Sequence, residues 1–214
     1  MVTGITAATV PREILSMKSG AENKMQMELI EDKIFENCDF SDGSFQLGEY
    51  EHCKFIKCNF HNANFKKSVF IDCVFEQCDL SMVNIDKTSF QHVTFIDSKM
   101  VGVQFEHINP FGLQVEFQHV IMDHASFYNA KFPATQFSNC SFKETDFSQS
   151  DFTKAIFKNC DFKHAVFNNT ILDQVDFTSS FNYSIDPSTN KLKKSRHSSS
   201  GVLGLIDGID IIIE

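Results

Sequence analysis

The sequence predicts an all-β chain wound into a solenoid, and three observations carry that expectation. From Phe35 to Phe105 a bulky apolar residue stands at every fifth position, and the same spacing resumes at Phe117 and runs to Phe177. Of the 24 Phe, 22 occupy this one position, leaving Phe111 and Phe181 outside it. Two residues before most centres sits a slim side chain, as at Cys38, Gly43, Cys53, Ala63, Ser68, Ala125, Thr135 and Ala165. A helix turns about 100° per residue, so a period of five would scatter the Phe over all its faces. A flat strand alternates sides, so an odd period would send successive Phe to opposite faces. The pattern is met if each pentapeptide is a short extended side followed by a bend, with the centre and its slim partner facing one enclosed axis.

Taken in order, residues 1–27 have weak periodicity and are expected to be disordered. Residues 28–180 hold the array. Within it, Glu106–Glu116 is an interruption: Phe105 and Phe117 are 12 residues apart, two pentapeptides plus two, and Asn109-Pro110-Phe111-Gly112 marks a bulge or short loop with Phe111 as its expected contact residue. Residues 181–214 form a tail that switches period. Val202, Leu205, Ile206 and Ile209 fit a short amphipathic helix, and Ile211 and Ile213 fit a terminal strand. These apolar residues either cap the chain's own exposed coil end or, since with Leu203 they exceed what one end needs, form a cap shared with a second copy.

The net charge is −9, and the array carries 22 Asp and Glu against 12 Lys and Arg. That balance argues against direct nucleic-acid or anionic-membrane binding and favours a basic partner. No stretch reaches the roughly 18 apolar residues of a membrane span, and the N-terminus lacks a basic-then-apolar leader pattern, so the chain is expected in the cytosol. All seven Cys fall on the slim inward position, where a small polarizable residue fills core space, and their odd number speaks against a disulfide framework. The eight His show no zinc spacing, and neither a phosphate-cradling loop nor a nucleophile elbow is present. The expectation is a binding protein with no catalytic residues, metal or cofactor.

Segments such as Cys38-Asp39-Phe40-Ser41, Cys78-Asp79-Leu80-Ser81 and Cys160-Asp161-Phe162-Lys163 resemble the A(D/N)LXX repeat of the pentapeptide-repeat family, over about 150 residues. The resemblance implies a right-handed quadrilateral β-helix with a short C-terminal helix and strand cap, four pentapeptides per coil, and residue n stacked under n+20. At about 4.8 Å per coil this is a rod of roughly 35 Å. The Cys78-Asp79-Leu80-Ser81-Met82 segment and the tail from Gly204-Leu205-Ile206-Asp207 through Ile213 are similar to the quinolone-resistance branch of that family. That likeness implies an acidic mimic of duplex DNA that engages DNA gyrase or topoisomerase IV, protects it from fluoroquinolones, and dimerises end to end through Val202, Leu203, Leu205, Ile206, Ile209, Ile211 and Ile213. A scaffold for some other protein is the alternative.

With n under n+20, the candidate partner contacts are the acidic residues Asp32, Glu36, Asp39, Asp72, Glu76, Asp79, Asp86 and Glu106, together with Phe111. Asp86 and Glu106 are expected to stack directly. The pairs Asp32 and Asp72, Glu36 and Glu76, and Asp39 and Asp79 are 40 apart, with His52, Ile56 and Asn59 on the coil between, so no unbroken acidic stripe is expected.

Overall fold

The structure, a computed structural model, describes residues 4–6, 27–207 and 211. The expected disorder of residues 1–27 falls outside the described residues, except that Gly4–Thr6 pairs in parallel with Ile34–Glu36 and Met27 precedes the first coil.

Each pentapeptide is extended around its centre and turns two residues later. That corner residue has a left-handed backbone even though it is almost never glycine: φ is 57° at Asn62, 54° at His119 and 59° at His124. Such a conformation costs an L-residue about 1–2 kcal/mol. Corner after corner offsets it with a backbone bond to the next coil, as Asn62 N–H donates to Ser81 O (3.0 Å) and His124 N–H to Lys143 O (2.8 Å). The Asp or Asn before the centre clamps the same bend, because its carboxylate or amide oxygen accepts the N–H two residues on. Asp79 does so for Ser81 (2.9 Å), Asn84 for Asp86 (3.0 Å) and Asp176 for Thr178 (2.9 Å).

Stacked sides pair in parallel with a register of twenty, as in Ile34↔Lys54 and Val74↔Thr94. Four sides per coil make four faces, named here by their first fully stacked ring. The Phe35 face is an eight-stranded sheet from Gly4–Thr6 through Ile34–Glu36, Lys54–Ile56, Val74–Glu76, Val93–Ile96, Val115–Gln118 and Gln136–Ser138 to Ile156–Lys158. The Tyr50 face is a four-stranded sheet of Glu28–Glu31, Gly48–Glu51, Val69–Ile71 and Ser89–Gln91. The Phe40 and Phe45 faces are held by single bridges, such as Asn59↔Asp79 and Ser126↔Asp146.

The centres fill the axis. On the Phe35 face, Phe35, Phe55, Phe75, Phe95, Phe117, Phe137, Phe157 and Phe177 form one unbroken column of near-parallel rings with centroids 4.6–5.2 Å apart. Adjacent faces meet edge to face, as Phe55 and Phe60 do at 5.6 Å and 75°. Both geometries suit the ring quadrupole. Besides making room for the rings, the slim residue satisfies the carbonyl of a centre residue in the coil below. Thr88 Oγ1 donates to Phe65 O (2.8 Å), Thr145 Oγ1 to Met122 O (2.8 Å) and Cys73 Sγ to Tyr50 O (3.3 Å). All seven Cys are buried, and none is in a disulfide. At four of them, burial and neighbouring thiols oppose ionisation: Cys38 rises to about 11, chiefly by burial, Cys58 and Cys73 rise through the stacked Cys78 and Cys53 thiols together with burial, and Cys160 rises through burial together with the Cys140 thiol.

At the interruption the register passes from twenty, with Asn109 N–H donating to Thr88 O as Ser89 N–H does to Ser68 O, to twenty-two, with Val93↔Val115. The two extra residues bulge from the Tyr50 face alone; the Phe95–Phe117 stack continues undisturbed at 5.2 Å.

Coil register also extends past residue 180. Bridges Ile171↔Lys191 and Asp176↔Arg196 lay Leu192 and His197 over Leu172 and Phe177. His197 closes the ring column, stacked on Phe177 at 5.6 Å and held by the Tyr183 hydroxyl (3.0 Å) and Ser195 Oγ (2.9 Å). After it, Gly201–Leu205 forms a single 3-10 helix that packs on Tyr183, with Ile185 N–H donating to Gly204 O (2.8 Å).

Candidate functional site

The outward residues of a coil lie immediately before, immediately after and two after each centre, so the surface is a set of short columns running along the rod. The acidic candidates distribute over all four faces. Asp32 and Asp72 share one corner column of the Tyr50 face with His52 and His92. The Asp72 carboxylate stands between the two imidazoles, 3.9 Å from His52 Nδ1 and 3.4 Å from His92 Nδ1. Glu36 and Glu76 alternate with Ile56 and Ile96 on the Phe35 face. Asp39 and Asp79 lie on the Phe40 face with Asn59 between them, bridged as Asp39↔Asn59 and Asn59↔Asp79. Asn59 Nδ2 donates to Asp39 Oδ1 (3.0 Å).

Two of these carboxylates are held below their ordinary range by the corner they clamp. The bonds from Ser41 do this for Asp39. At Asp79 burial works the other way but is outweighed by Ser81 and Lys99. They are structural acids as much as surface charge.

Asp86 and Glu106 are on consecutive coils of the Phe45 face. Asp86 pairs with Lys66 at 2.8 Å, which keeps its carboxyl low. One carboxylate oxygen of Glu106 is buried with no hydrogen-bond partner among the described residues. Nearby, Met82 Sδ lies against Gly102, where a side chain would begin. Phe111 is 80% exposed on the bulge, the most exposed large apolar side chain described. Asn109 sets its position, accepting Phe111 N–H (3.1 Å) and donating to Ser89 Oγ (2.7 Å).

In the tail, Val202, Leu203 and Ile211 are about half exposed, whereas Leu205 packs against the core and Ile206 is half-buried. The expected helix is the short 3-10 turn Gly201–Leu205, and Ile211 is in no strand; Ile209 and Ile213 lie outside the described residues. A depression of about 490 Å³ lies between Ile185–Ser188 and Gly204–Leu205.

Among the described residues no three His, Cys, Asp or Glu side chains converge on a possible metal position, and no helix is long and apolar enough to cross a membrane. Sequence reasoning missed two features. His197 reads as a tail residue until Arg196 is laid over Asp176, and the paired His–carboxylate corners, including His119 with Asp97 (3.1 Å) and His124 with Glu144 (3.5 Å), emerge only when the chain is wrapped on its coils.

Family models match along most of the array: a pentapeptide repeat region over residues 44–127, and pentapeptide repeats in eight copies over 114–149 and 140–178. No curated protein matches significantly. Among solved structures, full-length QnrB1, described as a plasmid-mediated fluoroquinolone resistance protein, superposes with a TM-score of 0.63 at 19% identity, covering 86% of this chain and 90% of its own. A trypsin-treated QnrB1 variant gives 0.64 at 20% identity, covering 90% and 93%. At these identities the likeness is one of fold.

Proposed function

This chain belongs to the pentapeptide-repeat family, and on that premise we propose that it is a non-catalytic binding rod of the bacterial cytosol that engages DNA gyrase or topoisomerase IV and protects the enzyme from fluoroquinolones. The observation that carries the reading is the match to QnrB1 along about nine-tenths of both chains, over nearly the whole rod and not over a shared fragment. A rigid rod with net charge −9 has the sign required to occupy a basic DNA-binding surface.

The mimicry would reside mainly in the first coils. Residues 28–106 carry 14 Asp and Glu against 7 Lys, whereas residues 107–197 carry 9 of each sign. Tail-to-tail dimerisation through Val202, Leu203 and Ile211 would place the neutral halves at the centre and the acidic arms outward. A second reading, a scaffold for a different protein, is favoured by one observation, the projecting Phe111, because duplex DNA offers no counterpart to an exposed aromatic ring.

The test is gyrase supercoiling at a fixed inhibitory ciprofloxacin concentration, with protein titrated in and a variant truncated before Gly201 run beside it. Supercoiling restored by the full-length protein, and not by the truncated one, is the expected result. No effect on either gyrase or topoisomerase IV at micromolar protein would overturn the topoisomerase reading and leave the scaffold.

A further inference from the structure

Unrolled on its coils, the Tyr50 face changes sign at its midpoint. Before the bulge its outward charges are Glu31, Asp32, Glu49, Glu51 and Asp72, the last held between His52 and His92, with Glu28 exposed at the open first coil and accepting a hydrogen bond from Gln46, and no Lys or Arg among them. After the bulge they are Lys131, Lys154, Lys191, Lys193 and Lys194, with two acids, Asp151 and Asp173. Both of those acids are engaged locally: Asp151 Oδ1 accepts from Thr153 N–H (2.9 Å) and Oγ1 (2.6 Å), and Asp173 Oδ1 accepts from Lys193 N–H (2.8 Å). Neither Glu31, Asp32, Glu49 and Glu51 nor the five lysines form a salt bridge with any described residue, so both fields are uncompensated among the described residues. Between them stands Phe111, four coils from Ile30 and four from Leu192.

We propose that the Tyr50 face is a self-complementary docking surface on which a second copy of this chain lies antiparallel, acidic half against basic half, with the two Phe111 rings meeting on the two-fold axis.

A two-fold axis through the bulge sets Glu28, Glu31 and Asp32 of each copy opposite Lys191, Lys193 and Lys194 of the other, and symmetry makes that contact twice. A parallel arrangement would set like against like, and a head-to-tail arrangement would make the contact once and leave Phe111 uncovered. The axis also coincides with the one place where the face projects an apolar anchor, as the centre of an interface requires, with charges at the rim. A surface eight coil steps long and one pentapeptide wide buries on the order of 1,000 Å² in total, at the low end for a specific complex. The pairing is therefore weak and salt-sensitive. It uses neither the apolar segment from Gly201 onward nor a topoisomerase, so it stands or falls separately from both.

The experiment is sedimentation of the full-length protein at about 100 µM in roughly 50 mM and 500 mM NaCl, with two triple variants, Glu28→Lys/Glu31→Lys/Asp32→Lys and Lys191→Glu/Lys193→Glu/Lys194→Glu. Lysine is native at the left-handed corner in Lys57 and Lys67, so the first variant keeps the backbone. Self-association is expected at low salt, at least about tenfold weaker in each variant alone, and restored when the two are mixed, because every reversed charge then meets its opposite. In parallel, Phe111→Cys should form a covalent dimer under mild oxidation, the native Cys all being buried. An end-to-end tail dimer would hold these positions about 40 Å apart at ~4.8 Å per coil and give no such product. Self-association unchanged by either triple variant, no recovery on mixing, or a Phe111→Cys protein that stays monomeric would each overturn the proposal.

Discussion

The coils before the bulge and those after it share one core and differ in nearly everything else. The Phe35 ring column crosses the bulge at an ordinary stacking distance of 5.2 Å, and the buried centres on both sides are essentially inaccessible to solvent. Outside that column the halves diverge. The earlier coils carry the four-stranded sheet, five of the seven Cys and the whole charge imbalance; the later ones replace strands on the Tyr50 face with single bridges and place Ala, Ser or Thr at most slim positions. The fold is thus specified by the axis, while the outward columns are free to vary coil by coil.

Removing matched rings from the two halves would be the severest challenge to that shared core. Phe75→Ala and Phe137→Ala, both fully buried in the same column, should each cost about 3–5 kcal/mol and leave a single unfolding transition in urea. Two transitions would mean that the bulge divides the rod into separate units. A smaller effect separates the halves at the slim position. Thr145→Val removes the donor to the Met122 carbonyl and should cost about 1–3 kcal/mol, whereas Cys73→Ser supplies a stronger donor to the Tyr50 carbonyl and should stay within about 1 kcal/mol. Equal losses would show that thiol and hydroxyl are not interchangeable donors here.

The smallest effect distinguishes the two ends of the ring column, which begins with Phe35 and finishes with His197. Burial lowers the His197 pKa, with Asp176 opposing more weakly, so the imidazole is favoured neutral in the fold. Between the folded value and the unfolded one near 6.5 the unfolded chain binds more protons, so stability is full above that window and declines as pH falls through it. The melting midpoint should therefore drop on going from about pH 7.5 to 5.5, and His197→Phe should flatten that drop; an unchanged slope would mean that His197 does not set it.

The core was legible in the sequence because most stacking partners carry the same residue type at a fixed interval, so Phe35, Phe55 and Phe75 announce their column without knowledge of the fold. The two-residue excess between Phe105 and Phe117 likewise announced the bulge. The corners were not legible: nothing local to His52 or Asp72 signals that the two meet, since the contact depends on the coil length and not on neighbours in the chain. The tail was read only in part for the same reason. Its apolar residues stand out, but Leu192 and His197 continue the coil with centres other than Phe, and only the bridges of Lys191 and Arg196 reveal them. The acidic candidates were found as residues, yet their grouping into a polarised Tyr50 face required the wrapped surface.

The fixed register of twenty also sets how the molecule can change length. Because each coil bonds only to the coils above and below, a gain or loss of twenty residues changes the reach by one rise of about 4.8 Å and leaves every remaining column in phase. A gain of two was absorbed by extruding them from one side. The rod is in this sense a ruler graduated in whole coils, and a lineage could retune its span by duplicating a coil while keeping both ends and their partners unchanged.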